Sequence, residues 1–481
     1  MQEGVVAREN LYFCRQRIIM AIKPSLPKGT RDFLPQQMRI RNHILSVLRE
    51  NFELYGFEPV ETPALERIET LTGKYGEEGD RLIFKILPRG RKFADAANKA
   101  GDADDPQSTW QEAVEEALRY DLTVPFARLV TQHRNELVFP FKRYQMQPVW
   151  RADRPQKGRF REFMQCDADV VGPASPLQDL ECLCLYHRVF QELALPVKIL
   201  LNQRPLLEQM ALALGMPLSA VPGFTVELDK LDKTGTEATL KQMANLGLQT
   251  EALEKLRNLI ELPEDNATRL SFLADLLGSS AAPALAELRF LWQEMESLGM
   301  GHNLLIEPSL ARGLDYYTGA IFEVRAQGLA LGSLGGGGRY GNLTEMFGGR
   351  DLPGVGLSFG LDRIQLALEE RGESLAHPYP GIQVLIVQFR EEERSKLLDL
   401  AENLRNMGVR TEVYPQASKL KKQLDYANRR EIPYVVFLGE EEQLQGQFAL
   451  KEMATGQQKS MGKLELLKFF NRNHKPGHGH H

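Results

Sequence analysis

A chain of 481 residues, 43% hydrophobic and 26% charged, is long enough for two to four domains with cores of their own. It contains no run of 18 apolar residues, and Arg8, Glu9, Arg15 and Arg17 interrupt its start, so neither a membrane span nor a signal-peptide core is expected and a cytoplasmic location is. A net charge of −5 excludes a module that is basic throughout, so any nucleic acid would have to be gripped by local basic patches. The four cysteines, Cys14, Cys166, Cys182 and Cys184, form no C-x-x-C pair, and the histidines are not spaced to complete a zinc site. Free thiols and no zinc are the expectation.

The stretch Met20–Pro35 reads as the start of a domain, with residues 1–19 as a non-native or disordered extension. Ile40, Ile44, Leu45, Val47, Leu48 and Phe52 recur at helical spacing within 36–55. The short extended run GFEPVETPALE follows, Gly56 to Glu66. Residues 89–117 look inserted: RGRK, then the loop-like GDADDPQ, then a helix in WQEAVEEALR. Residues 120–170 are read as strand-rich, 177–195 as an apolar helix, and 205–300 as mostly helical with turns at 221–223 and 262–265. Strand character returns at 303–325, before a Gly-rich stretch at 328–349 and a buried strand and helix in GVGLSFGLDRIQLALEERG. Beyond a linker at Pro378 and Pro380, strands and helices alternate, which predicts a small α/β domain with a partly parallel sheet. The tail HKPGHGHH reads as a disordered terminus.

One stretch carries more chemistry than the rest. QMQPVWRAD and FREFMQCDADVVG both read as strands, joined by RPQKGR. On the second, Arg161, Phe163, Gln165, Asp167 and Asp169 alternate onto one face. Phe160, Met164, Cys166, Ala168 and Val170 fall on the other, a core face. A cation, a ring, an amide and two carboxylates thus share a surface about 20 Å long, room for a nucleotide joined to an amino acid. The loop cations Arg154, Lys157 and Arg159 suit a polyphosphate. A solvent-facing strand of an antiparallel sheet would alternate in the same way.

FKRYQMQPVWRADRPQKGRFREFMQCDADVVG closely resembles motif 2 of the class II aminoacyl-tRNA synthetases, in its histidyl-tRNA synthetase form. GFEPVETPALE resembles motif 1, with Pro63 as its proline, and GVGLSFGLDRI resembles motif 3, with Arg363 as its arginine. LRYDLTVPFAR (Leu118–Arg128) and LARGLDYYTGAIFEV (Leu310–Val324) look like the two histidine-specific signatures. The resemblance covers most of residues 20–470, in the family's motif order.

The resemblance implies an α+β fold: a class II catalytic core, an antiparallel sheet flanked by helices, with a helical insertion and a C-terminal α/β anticodon-binding domain. It places core segments at 20–204 and 303–376, the insertion at 205–302, the anticodon domain at 381–470 and a His-rich tail at 471–481. The implied reaction joins L-histidine to ATP, with Mg²⁺, and then charges tRNA(His). By resemblance Arg151 clamps the α-phosphate and the attacking carboxylate, Arg363 contacts the γ-phosphate, Phe163 stacks on adenine, and Arg159 is matched to pyrophosphate. Arg312 is implied as the cation at the reacting centre; pairing with Asp315 in a turn is the other reading. Asp121, Thr123 and Gln165 are implied for the histidine ammonium, and Asp169 and Tyr317, with Tyr316 nearby, for the imidazole; the tyrosines could instead be ordinary core.

Two carboxylates depart from many bacterial members. Tyr120-Asp121-Leu122-Thr123 stands where those have Pro-Glu-Gly-Thr, and Asp169 where they have glutamate. The run GSLGGGGRYGNL lacks the G-x-x-x-x-G-K-[ST] of a phosphate loop, so its glycines are read as permitting close backbone approach to the substrate. Residues 410–430 hold Arg410, Lys419, Lys421, Lys422, Arg429 and Arg430 against Glu412 and Asp425, a local charge of +4 that fits RNA phosphates or a solvated helix face. A homodimer with motif 1 at its interface is implied. The competing readings are a non-catalytic regulatory subunit of ATP phosphoribosyltransferase and a synthetase for another amino acid.

Overall fold

The computed structural model describes residues 23–73, 76–101, 113–156, 158–172, 174–311, 317–341, 344–348, 352–372, 381–439 and 444–473. Expectations for residues 1–19, the Pro378–Pro380 linker and residues 474–481 of the His-rich tail lie outside them; residues 471–473, counted with that tail, instead end the helix Lys463–Asn473.

The first long helix, Pro35–Leu54, follows from its pattern. Pro35 opens it, the Gln37 side chain accepts the Leu34 amide at 3.1 Å, and Ile44, Val47, Leu48 and Phe52 form one buried stripe. It packs on an eight-stranded sheet. The strands are β1 (Glu58–Pro59), β5 (Phe141–Trp150), β6 (Glu162–Val171), β7 (Val197–Gln203), β8 (Leu304–Ile306), β9 (Tyr317–Ala326), β10 (Gly335–Tyr340) and β11 (Gly354–Gly360). Their order is β1-β5-β6-β11-β10-β9-β7-β8. Neighbours are antiparallel except for β1 with β5 and β7 with β8. Strands far apart in sequence therefore meet at the centre, where β6 pairs with β11. A three-stranded sheet stands alongside, in the order β2 (Leu65–Arg67), β4 (Glu116–Leu118), β3 (Lys85–Ile86).

One buried apolar cluster runs from Ile44 through the sheet and the apolar helix Pro176–Glu192 into the helices of 204–297. The C-terminal residues form a separate five-stranded sheet with cores on both faces. Its order is β13 (Thr411–Val413), β12 (Val384–Ile386), β14 (Tyr434–Phe437), β15 (Gln447–Glu452), β16 (Gln458–Gly462). The first three strands are parallel and the last two antiparallel, the partly parallel sheet expected. Cys166, Cys182 and Cys184 are buried free thiols.

The structure corrects three local readings. The Ala/Glu-rich end of WQEAVEEALR is not helical at Glu116–Leu118. That segment is the middle strand between β2 and β3 with Ala117 buried, so pairing on both sides overrides propensity. Within the strand-rich 120–170, Thr123–Gln132 is a helix: Asp121 Oδ1 accepts the Val124 amide at 3.1 Å and Pro125 sits in the first turn. Residues 221–223 open the helix Val221–Asp229, with Pro222 in its first turn.

Asp362 ties these layers together. It is 5% exposed, and its Oδ1 accepts Arg31 Nη2 at 2.5 Å and Arg41 Nη1 at 2.6 Å, while Oδ2 accepts the Met164 amide at 3.2 Å. The first helix, the helix Leu361–Arg371 and β6 are thereby joined through one carboxylate. Asp362→Ala leaves Arg41 buried without its counter-charge, and urea unfolding is expected to register a loss of about 3 kcal/mol or more.

Candidate active site

The hairpin β5–β6 carries the site. Its register sets Arg143 opposite Asp169, Gln145 opposite Asp167 and Gln147 opposite Gln165. Across the other edge of β6, Ser358 faces Asp167 and Gly356 faces Asp169. The expected alternation holds from Phe163 onward: Cys166, Ala168 and Val170 enter the apolar core, while Phe163, Gln165, Asp167 and Asp169 border a cavity of about 330 Å³. Arg161, expected on the same face, precedes β6, donates to the Asp153 carbonyl and does not border the cavity. Phe160 and Met164, assigned to the core face, also border it. Asp167 and Asp169 are each 3% exposed, which excludes the solvent-facing strand.

Nine expected residues line this one cavity. Arg151, Arg159, Phe163 and Arg363 are the four assigned to ATP, and Asp121, Thr123, Gln165, Asp169 and Tyr317 are five of those assigned to histidine. Arg312 and Tyr316 lie outside the described residues, as does Asp315. Lys157 of the cationic loop does too.

The cation end is held open by backbone. Arg151 donates from Nε to the Tyr120 carbonyl at 3.0 Å, and its guanidinium lies 4.3 Å from the Tyr120 ring centroid and 5.2 Å from that of Phe163. Arg363, in the first turn of its helix, donates to the Ser333 carbonyl at 2.8 Å and to the Gly158 carbonyl at 3.3 Å. Gly158 takes φ +73°, which lets the hairpin loop turn back over that helix. Arg159 Nε lies 3.0 Å from Asp153 Oδ2 and is about half exposed.

The carboxylate end is buried. Arg143, fully buried, brings Nη2 within 2.7 Å of Asp169 Oδ2, an ion pair by distance that lacks hydrogen-bond alignment. Tyr340 donates its hydroxyl to Asp169 Oδ1 at 3.0 Å. A Cβ at Gly356 would fall 2.2 Å from Asp169 Oδ1, and one at Gly354 would meet the Tyr340 ring at 2.5 Å, so the motif 3 glycines make room for this pair. The Gly-rich run forms β10. Gly335 and Gly336 border the cavity, but Gly337 and Gly338 are crowded by the protein itself: the Gly356 carbonyl at 2.0 Å and the Tyr317 ring at 2.9 Å from their would-be Cβ positions.

Burial pushes the Asp167 carboxyl up to about 7; Arg143 and a hydrogen bond with Ser358 oppose this, and Asp169 and Asp121 reinforce it. Burial also raises Asp169, against Arg143 and Tyr340. Asp167 was placed on this face without a role of its own, and Arg143, Tyr340 and Asp362 were not singled out for this site. A signal for Arg143 was present: Arg143, Gln145 and Gln147 alternate along β5 as Gln165, Asp167 and Asp169 do along β6. Among the described residues no group of three His, Cys, Asp or Glu could hold a metal ion. Nor is any described helix long and apolar enough to cross a membrane.

An antiparallel sheet carrying a motif 2 hairpin and a motif 3 strand and helix, with arginines at one end of its cavity and carboxylates at the other, is the class II synthetase catalytic plan. The family model described as histidyl-tRNA synthetase matches residues 29–94 and 111–364, and one described as anticodon binding domain matches 383–473. The chain belongs to the histidyl-tRNA synthetase family. It is 46% identical over 441 residues to a histidine–tRNA ligase of Porphyromonas gingivalis, covering 91% of this chain and 97% of the relative. It is 47% identical over 447 residues to one of Christiangramia forsetii, covering 92% and 98%. A solved histidyl-tRNA synthetase from Nostoc sp. PCC 7120 superposes with a TM-score of 0.80 at 29% identity, over 94% of this chain and 100% of that one. A Bacillus halodurans structure titled as an ATP phosphoribosyltransferase regulatory subunit/histidyl-tRNA synthetase shares the fold at TM-score 0.66 and 23% identity, over 84% and 97%. The family model passes over 95–110, a shorter excursion than the 89–117 read from composition.

The raised Asp167 predicts a pH-dependent cost. An unfolded aspartate loses its proton near 4, whereas the folded one holds it to about 7. Its contribution to stability is therefore full below about 4 and lost as pH rises through about 7. Asp167→Asn, which mimics the neutral acid, should raise Tm relative to the unsubstituted protein at pH 8, with the gain shrinking towards pH 5 in calorimetry. A constant difference across that range would contradict the assignment.

Proposed function

We infer that this chain is a histidine–tRNA ligase: it activates L-histidine with ATP and transfers the histidyl group to the 3′ end of tRNA(His). What carries the reading is the meeting of the ATP-type arginines and the histidine-type carboxylates in one cavity, with Arg363 brought from 194 residues beyond Asp169, in a chain 46% identical to a histidine–tRNA ligase over 91% of its length. In the first step an oxygen of the histidine carboxylate attacks the α-phosphorus and pyrophosphate leaves. In the second a ribose hydroxyl of the tRNA terminus attacks the histidyl carbonyl and AMP leaves. Bringing an anion to a polyanion is the barrier, so fixed cations supply most of the stabilisation.

We assign Arg151 to the α-phosphate and attacking carboxylate, Arg363 to the γ-phosphate, Arg159 to pyrophosphate and Phe163 to the adenine face. Asp121, Thr123 and Gln165 take the ammonium, and Asp169 and Tyr317 the imidazole, with Tyr316 beside them. Asp169 then acts as an acceptor whose negative charge Arg143 stabilises from beneath. Arg312 rests on its signature alone, as the cation at the reacting centre. Mg²⁺ enters with ATP as part of the substrate. The 383–473 unit, with its local +4 segment, takes the tRNA, and the assembly is a homodimer built on the motif 1 face. The regulatory-subunit reading is not favoured, since the anticodon unit and the motif arginines are present.

ATP–pyrophosphate exchange measured with each amino acid in turn tests this, and exchange with histidine alone is expected. No exchange with any amino acid would overturn the reading. Arg312→Ala should lower histidine-dependent exchange by about 10³-fold while Kd for histidine and for ATP stays within a few-fold. An almost unchanged rate would remove Arg312 from the reacting centre.

A further inference from the structure

We propose that Asp167 is a substrate-contacting residue: its Oδ1, with Gln165 Oε1 and Asp121, forms a three-sided acceptor cage for the α-ammonium of the bound amino acid. The proposal rests on the ligase reading and adds a residue for which that reading has no role.

Three observations converge. Gln165 Oε1 and Asp167 Oδ1 are both buried without a hydrogen-bond partner, and they sit two residues apart on the cavity face of β6. A buried acceptor left unpaired is costly, so adjacent orphans on a cavity wall imply a donor that arrives with the ligand. An ammonium brings three donors and a positive charge. The second observation is the charge balance. Asp167 faces Asp169 on its own strand, Arg143 and Gln145 from β5, Ser358 from β11, and Asp121 ahead of the helix Thr123–Gln132. That is three carboxylates against one guanidinium, and Arg143 is already drawn towards Asp169 at 2.7 Å. The local surplus is negative, and a cation from the ligand relieves it. The third is position. Asp169, held by Arg143 and Tyr340, lies deeper along the strand, while Gln165 lies towards the arginines. A ligand with its imidazole at Asp169 and its carboxylate towards Arg151 sets its α-carbon near Asp167. The raised Asp167 agrees with this, because its charged form lacks a full partner until the ligand enters.

The test compares L-histidine with 3-(imidazol-4-yl)propionate, which keeps the ring and the carboxylate and lacks only the ammonium. Calorimetric titration of the full-length protein and of Asp167→Asn measures both affinities. Asp167→Asn is expected to weaken histidine by at least about 30-fold and leave the deamino analogue within a few-fold. The imidazole titrates in both ligands, at a higher pH in the deamino analogue because no ammonium stands beside it, so the ratio of the two affinities in the unsubstituted protein is divided by the same ratio in Asp167→Asn, which carries the ligands' own titration. That quotient should fall as pH drops from 8 to 5, approaching about tenfold per unit on the acid side. Equal weakening of both ligands would make Asp167 structural or an imidazole contact, and no weakening of either would leave it without a ligand; each overturns the proposal. Histidine-dependent exchange by the unsubstituted protein is run first: its absence overturns the ligase reading itself, whereas normal exchange with any other binding pattern overturns the Asp167 assignment alone.

Discussion

The site depends on one buried ion pair. Arg143 and Asp169 face each other across β5 and β6, both almost fully out of water, with the Tyr340 hydroxyl closing the far side of the carboxylate. Taking two charges out of water is costly, and their attraction offsets this only when geometry and further hydrogen bonds are supplied. Here the sheet supplies the placement, and the Tyr340 hydroxyl supplies a hydrogen bond to the carboxylate. The register of the hairpin places the guanidinium, and β10 brings Tyr340. The missing side chains at Gly354 and Gly356 leave space for both carboxylate and ring. A side chain at either glycine would drive into this pair, so backbone choices on β11 and charge placement on β6 are a single constraint.

That constraint explains why the carboxylate at 169 can be an aspartate. An aspartate reaches one methylene less far than glutamate, but its position is set by the strand that bears it, the Arg143 guanidinium opposite and the Tyr340 hydroxyl that donates to it. Rigidity of support replaces reach. It also separates the roles of neighbours on one strand. Asp169 is already held by protein groups, whereas Gln165 and Asp167 present acceptors with none. Alternation puts all three on one face, and only their cross-strand partners tell them apart.

Much of this was legible in the chain itself. The period-2 pattern of Phe163–Asp169 identified the functional face, and motif order named the family. The first helix, the apolar helix and the partly parallel C-terminal sheet followed from periodicity. The misreadings have physical causes. Glu116–Leu118 has helical composition but lies between two strands that pair with it, a non-local fact. The helix Thr123–Gln132 carried its signals, an aspartate before it and a proline in its first turn, but they stood inside a strand-like run. Asp362 and Tyr340 escaped notice for another reason: their partners Arg41, Met164 and Asp169 are 171 to 321 residues away, and no local pattern encodes contacts of that span.

The same layout orients the ligands. Arginines crowd one end of the cavity and carboxylates the other, so a triphosphate is repelled from the Asp167–Asp169 end and an ammonium from the Arg151–Arg363 end. An amino acid is a zwitterion, and only one of its two orientations satisfies both ends. Its carboxylate is then pulled towards the arginines, where the α-phosphate must also come. The field that selects the ligand thus performs the first part of the catalytic work, aligning two anions that would otherwise avoid each other. Because Arg151 and Arg363 are held by the Tyr120, Ser333 and Gly158 carbonyls, and Arg159 by Asp153, rather than by Asp167 and Asp169, the two ends do not neutralise one another. Holding the two sets of charges on separate supports is what keeps the cavity polarised before any ligand arrives.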